Sequence, residues 1–198
     1  MKNVIRFFLV LLVITVFFLT KCTNQKPSAQ EVNELTSEQL VQRGEYLVTI
    51  MGCHDCHSPK NVGPQTFELI PELMLSGYSN NHPQPEAEVR LISKGMSIFN
   101  PDLTASAGPW GISYAANLTS DQTGIGNWTE ENFKRALKQG LYKGIEGSRT
   151  LLPPMPWLNF QNITDEDVNA IFAFLKSTPP VSNVVPFPIE PEALHASK

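Results

Sequence analysis

Cys53-His54-Asp55-Cys56-His57 places two cysteines three residues apart and a histidine directly after the second. On a helical turn, residues i and i+3 share a face, so both sulfurs point the same way while the imidazole of His57 follows beside them. Upstream, Leu40, Val41, Gly44, Leu47, Val48 and Met51 recur at helical spacing, which predicts a first helix with one buried face. It begins near Thr36, with Gln39 three residues on completing a capping box. Gly44 in mid-helix costs about 1 kcal/mol against Ala, a sacrifice that a close helix crossing at this position would explain.

Further upstream, Met1-Lys2 and Arg6 precede an apolar run from Phe7 to Leu19 broken only by Thr15. The run suits the h-region of an export signal and falls short of the ~20 residues that span a bilayer comfortably. It ends at Leu19-Thr20-Lys21-Cys22, resembling a bacterial lipoprotein signal in which the Cys is lipidated, although Lys21 stands where that pattern has a small residue. A lipid anchor on Cys22, an uncleaved signal anchor and a released protein are the three readings. Each puts the body of the chain in the periplasm or another extracytoplasmic space. Residues 1–21 read as the export signal and 22–35 as a polar tether.

In an exported chain, C-x-x-C-H is the attachment signature of a c-type haem. A dithiol redox pair would want a strand–helix–strand context, and a structural zinc would want a second pair of ligands. The sequence offers neither beside the motif: the remaining cysteine is Cys22, and His82 and His195 fall in a loop and the tail. The motif occurs once, so one covalent haem is expected.

Two more helices are predicted downstream. One starts at Thr129 with Glu130 and Glu131 in its first turn, puts Phe133, Ala136 and Leu137 on one side and ends at Gly140. The other starts at Thr164, with Asp165, Glu166 and Asp167 suited to the positive end of the helix dipole. It carries the stripe Val168, Ile171, Phe172 and Leu175 and is stopped by Pro179-Pro180. Between His57 and Asn117 no period is sustained. Seven prolines punctuate residues 58–115, and the expectation there is ordered loop with short helices through 68–75 and 86–94. The tail from Val181 is Pro-spaced and reads as extended.

If the haem iron has a sixth ligand, the candidates are Met51, Met74, Met96, Met155, His82 and His195. Met155 stands out within Leu152-Pro153-Pro154-Met155-Pro156, because flanking prolines stiffen a loop that presents a soft thioether. Met51 lies on the buried stripe of the first helix, where an unbranched Met is ordinarily core. An open sixth position would instead describe a haem enzyme or gas sensor.

These residues resemble the class I c-type cytochromes, most closely the single-haem domains of multi-haem dehydrogenase cytochrome subunits and of lipoprotein cytochromes. The likeness rests on Arg43 to His57, on Asn117-Leu118-Thr119 and Thr123 to Trp128, on Leu152 to Pro156, and on Thr164 to Leu175. It implies an all-α fold of three main helices around one haem, spanning residues 36–181 with an insertion at about 65–115 and a tail at 182–198. It further implies Cys53 and Cys56 as thioether sites, His57 and Met155 as axial iron ligands, and a carbonyl at Gly63-Pro64 orienting the His57 ring. Trp128 either donates to a haem propionate or packs the second helix. The insertion departs from compact members of the family and reads as a cover or docking surface, anchored by the Gly108-Pro109-Trp110-Gly111 turn.

Charged residues are 17% of the chain, against about 25% in an average soluble protein. Setting aside Lys2, Arg6 and Lys21 leaves 12 basic residues against 19 acidic ones from Cys22 onward. That surface excludes nucleic acid, whose phosphates demand clustered Lys and Arg. Lys134, Arg135, Lys138 and Lys143 form a small basic cluster, read as a solvated helix face or a docking patch. The sequons at Asn117, Asn127 and Asn162 read as capping and turn sequences. The expected role is electron transfer by a protein held at a membrane surface, as a shuttle between redox partners or as a subunit of an exported dehydrogenase complex.

Overall fold

The computed structural model describes residues 35–82 and 89–196. The export segment, the tether up to residue 34 and Cys22 lie outside them, as do Pro83 and Pro85. The described part opens with α1 (Ser37–Ile50), capped by the expected box: Thr36 Oγ1 accepts from the Gln39 N–H, and Gln39 returns its side-chain oxygen to the Thr36 N–H. Gly52, at φ 70°, breaks the chain after α1 and starts α2 (Cys53–His57).

The two later helices form where the caps predict, α4 at Glu130–Gln139 and α5 at Asp165–Ser177. Gly140 closes α4 in the left-handed conformation at φ 66°. Helices α1 and α5 cross at Gly44, where a Cβ would lie 1.9 Å from the Ala170 carbonyl oxygen. Only a residue without a side chain lets the backbones approach so closely, which accounts for the glycine in mid-helix. Leu47, Val48, Leu75, Ile125, Phe133, Leu137, Val168, Ile171 and Leu175 form the main apolar cluster beneath these helices.

The all-α expectation is wrong. The described residues are 39% helix and 14% strand, and the strands lie in the segment read as loop. A first hairpin pairs β1 (Lys60–Gly63) with β2 (Thr66–Leu69) around Pro64-Gln65. A second antiparallel sheet runs in the order β3 (Ile98–Phe99), β4 (Ala105–Gly108), β5 (Gly111–Tyr114). Of the two short helices expected here, the first gives way to β2 and a 3-10 turn at Pro71–Leu73; of the second, α3 (Val89–Ile92) is seen, with residues 86–88 outside the described residues. A second, smaller apolar cluster joins Ile92, Ala107, Ile112 and Leu194.

The tail is not extended throughout. Ile189 pairs with Ile112 across the edge of β5, and Pro191–Ala196 then form α6, which brings Leu194 into the second cluster.

Candidate haem site

Helix α2 carries the three residues of the motif on one turn and a half. Cys53 and Cys56 are free, partly buried thiols, and burial pushes the Cys53 thiol up to about 11 and Cys56 in the same direction. Both are therefore neutral near pH 7 rather than poised thiolates. The His57 ring is held by the Ala116 carbonyl, 2.7 Å from Nδ1. A carbonyl only accepts, so Nδ1 carries the proton and the Nε2 lone pair is left for a metal. Burial also lowers the His57 pKa, which favours the neutral imidazole that ligation requires.

The partner of His57 is thus Ala116 and not Gly63-Pro64. Pro64 sits exposed in the β1–β2 turn. The chain that closes over α2 is Leu75–Tyr78. Leu75 N–H donates to Ser58 Oγ at 2.9 Å, and Gly77 N–H donates to the His57 carbonyl at 2.8 Å. Tyr78 N–H then bonds the Ala115 carbonyl at 2.9 Å, which docks the end of β5 beside the motif.

Lys60 makes a second attachment. Its buried ammonium shares its three protons among four carbonyls, those of His54, Asp55 and Ser58 at the C-terminal end of α2 and that of Asp102 at 3.0 Å. Burial lowers the Lys60 pKa. Asp102 in turn is the hub of a buried network: its Oδ1 accepts from Asn100, from the Thr104 hydroxyl and from the Thr104 N–H, and its Oδ2 faces His82 Nδ1 at 2.7 Å. His82 is tied through Nδ1 into this network at the edge of the insertion. Nothing in the sequence marked Ser58, Lys60, Asp102 or Ala116; three of them act wholly or partly through buried polar contacts, and Ala116 acts through its backbone.

Met155 is partly buried and packs against the main cluster, as do Cys53, Met51 and Trp128. Met74 and Met96 are exposed. The side chain of His195 lies outside the described residues. Among the described residues no group of three or more His, Cys, Asp or Glu side chains converges as a closed zinc site would need. Two neutral thiols a turn apart, an imidazole with a free Nε2 and a partly buried thioether suit a covalent haem with two axial ligands.

The basic cluster on α4 is a clasp between helices. Lys134 and Lys138 both pair with Asp165 of α5, and Arg135 bonds the Gly144 carbonyl and Glu131. Asn117 is buried, its side chain holding Thr119, Thr123 and the Val181 carbonyl, so it serves as a turn anchor.

No family model matches the chain. Among curated proteins, it is 41% identical over 145 residues to the cytochrome c subunit of a quinone alcohol dehydrogenase from Gluconacetobacter polyoxogenes, covering 72% of this chain and 23% of that protein. The corresponding subunit of Gluconobacter oxydans is 31% identical over 138 residues, 69% of this chain and 21% of the relative. The gluconate 2-dehydrogenase cytochrome c subunit of Pantoea cypripedii is 28% identical over 164 residues, 79% and 29% respectively. The chain therefore spans between about a fifth and a third of the length of these relatives, and its similarity is to cytochrome c subunits of dehydrogenases.

Proposed function

We propose that the chain is an electron-transfer protein of the class I c-type cytochrome kind, with one haem joined through Cys53 and Cys56 and ligated by His57 and Met155. The observation that carries this reading is the His57 imidazole, whose Nδ1 is committed to the Ala116 carbonyl within a turn that also bears two free thiols. When bound, the haem supplies one-electron cycling between ferric and ferrous iron, and a Met/His pair raises its potential. The protein's own contribution is to hold the ligands. Ala116 fixes the His57 ring and its tautomer. Lys60 closes the carbonyl end of α2, so the two cysteines keep their relative setting. Met155 would supply the second iron ligand from a proline-stiffened loop, and Trp128, packed against the main cluster, would either donate its indole N–H to a haem carboxylate or serve packing alone.

The partner is a catalytic dehydrogenase, as the relatives' names suggest, and the chain passes its electrons on without bond chemistry of its own. It works outside the cytoplasm, brought there by residues 1–21 and held at a membrane by lipid on Cys22 or by the uncleaved segment. Expression with the c-type maturation machinery tests the attachment. The protein should carry one haem that survives denaturation, and Cys53→Ala with Cys56→Ala should lose it. A haem extracted from the parent protein by acidified organic solvent would refute the assignment.

A further inference from the structure

The chain at the end of the insertion reaches both candidate ligands. Ala116, just past β5, holds His57, and Ser113 within β5 reaches the methionine loop. Pro153, Pro154 and Pro156 have no backbone N–H, so this loop has few donors with which to bond its surroundings. The Met155 N–H is used internally, on the Leu152 carbonyl at 3.3 Å. Among the described residues, the one hydrogen bond that reaches the backbone from Leu152 to Met155 from a distant part of the sequence runs from Ser113 Oγ to the Pro153 carbonyl, at 2.6 Å. The hydroxyl has a single proton and a second carbonyl nearby, that of Ser106 at 3.4 Å, and the shorter contact takes it. The Ser113 oxygen is itself fixed, since it accepts from the Trp110 indole Nε1 at 3.2 Å. Trp110 lies against Gly108, where a Cβ would come within 2.5 Å of the ring, so the hairpin turn sets the indole that sets the serine.

We infer that Ser113 is a positioning residue for Met155, and that the insertion acts as a brace spanning both axial ligands. The inference rests on Met155 being the sixth ligand. A thioether is an uncharged ligand, and its hold on iron depends on how firmly the loop is kept in place. Ser113 is buried and bonds Pro153, two residues before the sulfur-bearing residue it steadies. Its loss frees the loop to swing without unfolding the domain.

The experiment is an imidazole titration of the oxidised, haem-loaded full chain, read by loss of the sulfur–iron charge-transfer band. Removal of one such hydrogen bond should strengthen apparent imidazole binding roughly three- to tenfold in Ser113→Ala. Ser113→Thr, which keeps the hydroxyl, should behave as the parent. Ile112→Val weakens the same hairpin through its apolar cluster without touching Pro153, and should stay within about twofold of the parent. Should Ser113→Ala fail to accumulate as holoprotein, Trp110→Phe removes the indole donor while keeping an aromatic ring in the turn and should move binding in the same direction by less. Equal effects in Ser113→Ala and Ile112→Val, or none in Ser113→Ala and Trp110→Phe, would overturn the brace. Met155→Ala separates the two readings: if it leaves imidazole binding unchanged, the ligand assignment itself falls.

Discussion

The two apolar clusters hold their halves of the molecule by different means. Under α1, α4 and α5 the contacts are hydrocarbon: Val48, Val168, Ile171 and Leu175 are each 2% exposed or less. Around the sheet the apolar cluster is small, and beside Ala105 and Ala107 the deeply buried side chains include Asn100, Asp102 and Thr104, which bond one another and are each 3% exposed or less. Apolar burial is non-directional and scales with area, so it brings helices together through shape and volume rather than through aimed contacts. A buried polar network is directional and requires every partner. The half that must present a carbonyl to His57 and a hydroxyl to Pro153 is built in the second way.

The sharpest way to break the helical half is Gly44→Ala. The new Cβ would fall 1.9 Å from a backbone oxygen of α5, which no side-chain rotation relieves. A loss of more than about 4 kcal/mol, or no folded protein at all, is expected despite the better helix propensity of Ala. Urea denaturation followed by circular dichroism measures it. A loss near zero would mean that α1 and α5 do not cross there.

Asp102→Ala separates the halves. It strips the acceptor from Asn100 and Thr104 in a buried setting and should destabilise by roughly 2–4 kcal/mol. Amide exchange should quicken across residues 98–114 while α1 and α5 keep their protection. Uniform loss of protection would show that the two halves unfold as one unit.

The smallest effect belongs to the exposed clasp. Hydrogen bonds from Lys134 and Lys138 hold the Asp165 carboxyl down at about 2, against an ordinary value of about 3.9. Because the folded-state pKa is the lower one, the clasp contributes in full above the unfolded value, and its contribution fades as pH falls through about 2. Asp165→Asn should flatten the acid limb of a stability–pH profile in that window. An unchanged limb would mean that the two lysines do not act on Asp165 in solution.

The same division explains what could be read from the sequence. Helices α1, α4 and α5 bury one face and expose the other, so their stripes and caps at Thr36, Thr129 and Thr164 were legible, as was the crossing at Gly44. Strand β4 is Ala-Ser-Ala-Gly with every residue buried, leaving no alternation to detect and no β-branched residue to suggest a strand. The β1–β2 hairpin is mostly exposed, with its turn at Pro64, a residue that the family likeness assigned elsewhere. Cys53, Cys56 and His57 announce themselves by type and spacing. Ala116 cannot, because a carbonyl carries no sequence signature, and Ser113 becomes meaningful only once β5 lies beside the methionine loop.

Central to all of this is the proposal of a six-coordinate iron held between His57 and Met155, tested by absorption spectra of the purified holoprotein, oxidised and reduced, with and without carbon monoxide. The account predicts a low-spin c-type spectrum with a weak sulfur–iron charge-transfer band when oxidised and no response to carbon monoxide, both features being lost in Met155→Ala. A high-spin spectrum in the parent protein that shifts on adding carbon monoxide would contradict it.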